Sequence, residues 1–396
     1  MLRPDTFALT ALLAALTAIG PLSTDLYLPS LPDIGRAFDV TSPRVQLTLS
    51  AYLIGFAAGQ IVYGPVSDRL GRRPVLLVAV AIFCVGSLIC TLAPSIDILI
   101  AARLLQSFGA AGAIVLARAV VRDLYSGARA GKELSVMGAI MAIAPIAGPV
   151  IGGLLHTAFG WRSAFAALLL AGLLLGLAAW LRLPETLKVR AEPISARSIL
   201  ASYRALLARQ DFRLYVGIAS ACYTGLFAWL SSASFILQDL YGLTPLAFAI
   251  MFLPSAFGYL TGALIASRIV SRIGIDRTIG FGAGALLGGG LAMIATLAVV
   301  PHSAFAIVLP VSLYTIGLGL TFPQAMAGGL SPFPERAGAA SSLLGFVPQI
   351  AAAIAGITVV ALLDTTAWPL AVALTLMGAL TLLFWLMSRR APAHIA

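Results

Sequence analysis

The chain alternates long apolar runs with short polar breaks, and the runs have the length of helices rather than of strands. A hydrocarbon core of about 30 Å takes about 20 helical residues. Runs of that order lie near residues 6–28, 44–66, 75–93, 97–119, 133–157, 163–183, 212–238, 246–269, 277–299, 303–327, 337–363 and 367–387. The pattern predicts an all-α membrane protein of twelve transmembrane helices in two six-helix bundles. The longest polar stretch, Pro184 to Asp211, follows the sixth run. It divides the chain into a first bundle (1–183), a cytoplasmic linker (184–211) and a second bundle with a short cytoplasmic tail (212–396).

Composition closes off the other classes. Of 396 residues 60% are apolar and only 10% charged, with a mean hydropathy of +1.01, which excludes a disordered chain, a collagen-like repeat and a secreted disulfide scaffold. Cys84, Cys90 and Cys222 all fall inside apolar runs and read as packing residues. The net charge of +10 would suggest nucleic acid if it formed one patch, but the basic residues sit between the runs. With both termini cytoplasmic, every Lys and Arg lies on the cytoplasmic side except Arg36, Arg44 and Arg162 outside and Arg103 within a run. That asymmetry predicts the orientation and leaves the bilayer, not nucleic acid, as partner. Residues 1–23 mimic a signal peptide, yet no small-x-small site precedes Thr24-Asp25, so an uncleaved first span is expected.

The two halves echo each other. Asp68-Arg69-Leu70-Gly71-Arg72-Arg73 stands between runs two and three, and Ser271-Arg272-Ile273-Gly274-Ile275-Asp276-Arg277 between runs eight and nine. The second copy lacks the acid at the position of Asp68, as in repeated halves of which one has diverged.

Gly64-Pro65-Val66-Ser67-Asp68-Arg69-Leu70-Gly71-Arg72-Arg73-Pro74 resembles the loop 2-3 signature of the major facilitator superfamily. Arg103-Leu104-Leu105-Gln106 with Gly109 and Gly112 strengthens the resemblance. Ala144-Pro145-Ile146-Ala147-Gly148-Pro149-Val150-Ile151-Gly152-Gly153 is similar to the antiporter motif of twelve-span drug/proton exporters. Ser23-Thr24-Asp25-Leu26-Tyr27-Leu28-Pro29 resembles the end of span one in the bicyclomycin and chloramphenicol resistance (Bcr/CflA) exporters. The resemblance implies two bundles around a cavity that opens alternately to each side, a proton gradient as energy source without a cofactor, and a bacterial cytoplasmic (inner) membrane. It also implies that Gly64, Asp68, Arg69, Gly71, Arg72 and Arg73, with Asp123 as ionic partner, form a cytoplasmic latch. The expected cargo is a small hydrophobic, neutral or monocationic drug, with an endogenous metabolite or nutrient as the alternative.

Of the charged residues only Asp25 and Arg103 fall within runs away from loops and span ends. A charge at mid-membrane costs about 2.5–3.5 kcal/mol on insertion scales, so retained ones point to function. At 1.5 Å per residue Asp25 lies about 6 Å deep and Arg103 about 9 Å, in one layer. Asp25 is expected to carry the proton and meet the substrate, with Arg103 tuning it and competing for it. Span one lacks a second acid near Leu16-Thr17-Ala18, so one proton per substrate and poor handling of dications are expected. Candidate walls of the drug site are Tyr27, Tyr52, Phe56, Met137, Met141, Tyr223 and Phe227. Pro145, Gly148, Pro149, Gly152 and Gly153 predict a kinked, closely packed span five that seals the halves against proton leak.

Other chemistry finds no footing. Gly280-Phe281-Gly282-Ala283-Gly284-Ala285 matches a dinucleotide fingerprint by letters but sits in an apolar helical run. Gly131-Lys132 is followed by Glu133, so no Walker A loop exists. His156, His302 and His394 lie at span ends or in the tail and no Gly-x-Ser-x-Gly occurs, so neither a metal centre nor an intramembrane hydrolase is expected. The short loops suggest a minimal monomer.

Overall fold

The structure, a computed structural model, describes residues 7–125, 127–187, 196–363 and 365–390. Among these it is helical throughout: α1 Phe7–Asp25, α2 Leu31–Phe38, α3 Ser42–Leu70, α4 Arg72–Leu92, α5 Ile96–Leu124, α6 Gly127–Phe159, α7 Arg162–Arg182, α8 Ala196–Ala208, α9 Gln210–Ser234, α10 Pro245–Val299, α11 Phe305–Leu330, α12 Ala337–Leu362 and α13 Trp368–Arg390. Among the described residues eleven helices are long and apolar enough to cross a membrane. One of them, the 55-residue α10, is broken at Gly274 (φ 82°, ψ 167°) into arms 245–273 and 275–299, which makes twelve crossing segments. Gly71, between α3 and α4, has nearly the same backbone (φ 103°, ψ 152°). The two glycines hold equivalent places in the echoed loops, and only glycine adopts such a positive φ without strain.

The chain forms two compact units, Met1–Ile194 and Ser195–Ala396. In the first, α5 packs on α3 and α4, α4 on α7, and α1 on α6. In the second, α10 packs on α11 and α13, and α9 on α12 and α13. Lipid offers helices no hydrophobic reward for meeting, so close backbone approach has to supply the contact. On α5, a Cβ at Gly109 would lie 2.4 Å from Phe83 N, and one at Gly112 would lie 2.5 Å from Ala79 Cβ. Gly282, in the dinucleotide look-alike, faces Thr321 Oγ1 and Gly317 O on α11, so that run is a helix-packing seam. The outer face of α7 presents Leu170, Leu173, Leu174, Leu177 and Trp180, as a lipid-facing helix does.

The expected linker is only partly a loop. Residues 196–208 form α8, whose buried Leu206 joins Phe212 of α9 and Leu344 of α12 in the core of the second unit.

Candidate functional site

Asp25 is the last residue of α1 and is buried at 4% exposure. Thr24 Oγ1 lies 3.3 Å from its Oδ1 and 2.7 Å from the Pro21 carbonyl. The opposite wall is the glycine face of α6. A Cβ at Gly148 would sit 2.7 Å from Asp25 Cβ, and one at Gly152 would sit 1.9 Å from the Leu26 carbonyl oxygen. The proline–glycine motif of span five thus brings α6 against the carboxylate-bearing end of α1 within the first unit. Pro145 and Pro149 lie inside α6, and Gly153 is buried.

Arg103 is fully buried, yet no hydrogen bond or ion pair joins it to Asp25 among the described residues. This differs from the direct competition expected from their shared depth. Its guanidinium carbon instead lies 4.3 Å from the Tyr27 ring centroid and 4.2 Å from that of Tyr52, with Phe165 at 5.7 Å. Nη1 donates to the Ser23 carbonyl (3.0 Å) and to Gln106 Oε1 (2.6 Å), and Gln106 Nε2 donates to Ser87 (2.9 Å). Among the described residues Nε and Nη2 have no hydrogen-bond partner. Aromatic faces replace the counter-ion, because each offers a cation roughly 0.5–2 kcal/mol of attraction. The link to Asp25 runs through the backbone: Arg103 holds the carbonyl two residues before it.

Two of the expected drug-site walls face Arg103. Tyr27 and Tyr52 are occupied as the faces of the Arg103 cage, Tyr27 also bonding Thr48 (3.2 Å) and Tyr52 donating to the Gly20 carbonyl (2.9 Å). Phe56 stacks on Tyr52 at 6.1 Å, and Met137 is buried. The side chain of Met141 lies outside the described residues. In the second unit Tyr223 contacts Phe227 (4.9 Å) and stacks on Phe322 (5.2 Å). The sequence reading omitted Phe322, Phe165 and Gln106 as working residues. Of these, Gln106 carried a signal, standing one helical turn from Arg103 in the quoted motif.

At the other end of the first unit, Arg72 binds Asp123 (Nε–Oδ2 2.9 Å) and Asp68 (Nη1–Oδ1 2.5 Å), and donates to Ser67 Oγ (2.6 Å). Arg73 donates to the Trp180 carbonyl (2.6 Å), while Arg69 is exposed and Gly64 has open space around it. The start of α4 is capped by a further acid. Glu185 Oε1 accepts from Arg72 N (2.9 Å) and its Oε2 from Arg73 N (3.2 Å), at the positive end of α4. Partial burial pushes the Glu185 carboxyl upward, but backbone N–H donors of Leu187, Arg72, Arg73 and Thr186 outweigh it and leave the group below its ordinary value.

The profile described as Major Facilitator Superfamily matches residues 13–356. The chain is 32% identical to multidrug resistance protein D of Escherichia coli (strain K12), over 98% of this chain and 97% of that one. It is 30% identical to the chloramphenicol resistance protein of Pseudomonas aeruginosa, over 92% and 87%. The partially occluded, inward-open xylose transporter of E. coli superposes with a TM-score of 0.75 at 14% identity, covering 98% of this chain and 97% of that one, which concerns the fold alone.

Proposed function

This chain belongs to the major facilitator superfamily, and we propose that it is a proton-coupled multidrug exporter of the bacterial inner membrane, moving small hydrophobic neutral or monocationic antibiotics by alternating access. The observation that carries the reading is the Asp25 carboxylate, buried where α1 meets the glycine face of α6, with no cationic partner among the described residues. A bare carboxylate in such surroundings is costly, so either a proton or a cargo that donates hydrogen bonds or positive charge occupies it. The two occupants exclude one another, which couples proton entry to drug release. Arg103 acts on this exchange from its aromatic cage, fixing Ser23 and hence the last turn of α1.

The Arg72–Asp68–Asp123 cluster with Glu185 serves as the cytoplasmic latch of the first unit. The names of the resistance-protein relatives support drug rather than nutrient cargo, and the span-five motif supports exchange.

The test is chloramphenicol-induced proton release from purified protein, with Asp25→Asn beside wild type. Release by wild type and none by the variant, at equal folded yield, is the expected result. Equal release from both defeats the coupling role.

A further inference from the structure

One residue on the glycine face of α6 has chemistry that the exchange at Asp25 leaves unused. His156 follows Gly148 and Gly152 at intervals of four, so it continues the same face of α6 toward the helix end. Its Nδ1 lies 2.9 Å from Ser30 Oγ, and its Nε2 is paired with Asp33 Oδ2. Asp33 is also bound by Arg36. Exposure falls in sequence from the Arg36 side chain (62%) through Asp33 (33%) and His156 (8%) to Ser30 (0%). Polar groups thus lead from the exposed Arg36 inward to the buried Ser30, five residues beyond the end of α1.

We propose, on the reading of Asp25 just given, that His156 is the proton-loading residue at the mouth of this exchanger, taking protons from the outer aqueous face and supplying Asp25. Both protonation states are satisfied in place. The neutral ring donates from Nε2 to Asp33 and accepts the Ser30 hydroxyl at Nδ1. The imidazolium donates from both nitrogens, with Ser30 turning its hydroxyl to accept. A proton therefore arrives or leaves while both ring nitrogens keep a hydrogen-bond partner. On release, the Nδ1–H bond breaks, the ring returns to neutral, and water carries the proton to the Asp25 carboxylate.

Eight residues separate His156 from Gly148, about 12 Å along the helix, so the transfer is made through water when this end is open rather than by direct contact. The charged groups tied to the imidazole are Asp33 and, through it, Arg36; Arg162 opens α7 three residues beyond the end of α6. Arg162 is engaged with the Ala93 carbonyl (3.0 Å) and the Trp161 ring (4.1 Å), so Asp33 is the counter-charge of the ring. This placement follows the predicted orientation, with the Asp25 end of α1 outward.

The experiment compares wild type, His156→Gln, Asp33→Asn and Asp25→Asn in proteoliposomes loaded with chloramphenicol. Two rates are read, transport driven by a pH gradient and gradient-free chloramphenicol counterflow. His156→Gln is expected to slow gradient-driven transport about tenfold or more, short of the roughly hundredfold a positioned proton donor contributes, because water offers a slower bypass. Counterflow should stay within twofold. Asp33→Asn, which keeps the imidazole, should move the same rate in the same direction and stands in if the glutamine variant does not fold. Full gradient-driven rates in these variants, or equal slowing of both rates, overturn the assignment. Gradient-driven transport persisting in Asp25→Asn defeats the reading of Asp25 instead.

Discussion

Gly152→Ala measures how much the transporter depends on contact between α6 and α1. The added Cβ would lie 1.9 Å from the Leu26 carbonyl oxygen and 2.8 Å from its carbon, both backbone atoms that no rotamer change can move. A carbon and a carbonyl oxygen settle at about 3.3 Å, so the helices must part by about 1.4 Å. Inserting a methyl into a packed seam costs about 1–3 kcal/mol, against about 1 kcal/mol that alanine gains over glycine in helix propensity. Gly148→Ala is milder, meeting Asp25 Cβ at 2.7 Å with the Asp25 backbone no nearer than 3.5 Å, yet it displaces the carboxylate itself. Gly284→Ala, with nothing within 4 Å, is the control that keeps only the propensity gain.

Thermal unfolding in detergent and gradient-driven transport are read together. A body of about 200 residues loses about 2–4 °C per kcal/mol, so Gly152→Ala should melt several degrees below Gly284→Ala and transport poorly. Gly148→Ala should melt near wild type but lose transport, since shifts near 1 Å at a reacting group cost about a hundredfold. If all three variants melt and transport alike, the seam does not position Asp25 and the argument from close approach is wrong.

Two further outcomes follow from the same geometry. Arg103→Lys keeps the charge but loses the flat cation that Tyr27 and Tyr52 enclose. It should destabilise the first unit by about 1–2 kcal/mol and abolish transport; wild-type melting would show the cage to be incidental. Glu185→Gln removes the charge that caps α4, and the pH dependence has a fixed sign. The folded carboxyl lies below its ordinary 4.5, so its contribution is complete above that value and fades as pH falls through the depressed one. Wild type should therefore melt higher than Glu185→Gln near neutrality, and the gap should close under acid. A gap that persists well below pH 4 would count against the cap.

The spans were legible because lipid demands long apolar helices, and Asp123 was legible only as one acid that the Arg72 guanidinium could bridge to. The role of Glu185 was hidden, since it depends on the chain after α7 folding back onto the start of α4, more than a hundred residues away in sequence. Helix α8 did leave a trace. Ile199, Leu200, Tyr203, Leu206 and Leu207 recur at helical spacing, but the surrounding basic residues made the segment read as a loop. Phe165 carried no trace, because an aromatic residue in an apolar run is ordinary until a cation is placed beside it.

Arg103 shows why shared depth is weak grounds for pairing. Depth counts place both charges in one layer and say nothing of direction around each helix, whereas the fold points the guanidinium at two aromatic faces and a carbonyl. The outcome suits the proposed exchange better than the expected pair. An Asp25 permanently matched by arginine would already hold its compensating charge, and proton or drug would have to break a desolvated ion pair to enter, at a cost of several kcal/mol. With the cation satisfied by Tyr27 and Tyr52, the carboxylate's vacancy is left for the transported species. On the proposed function a caged arginine therefore keeps Asp25 addressable, which a salt bridge between the same two residues would not.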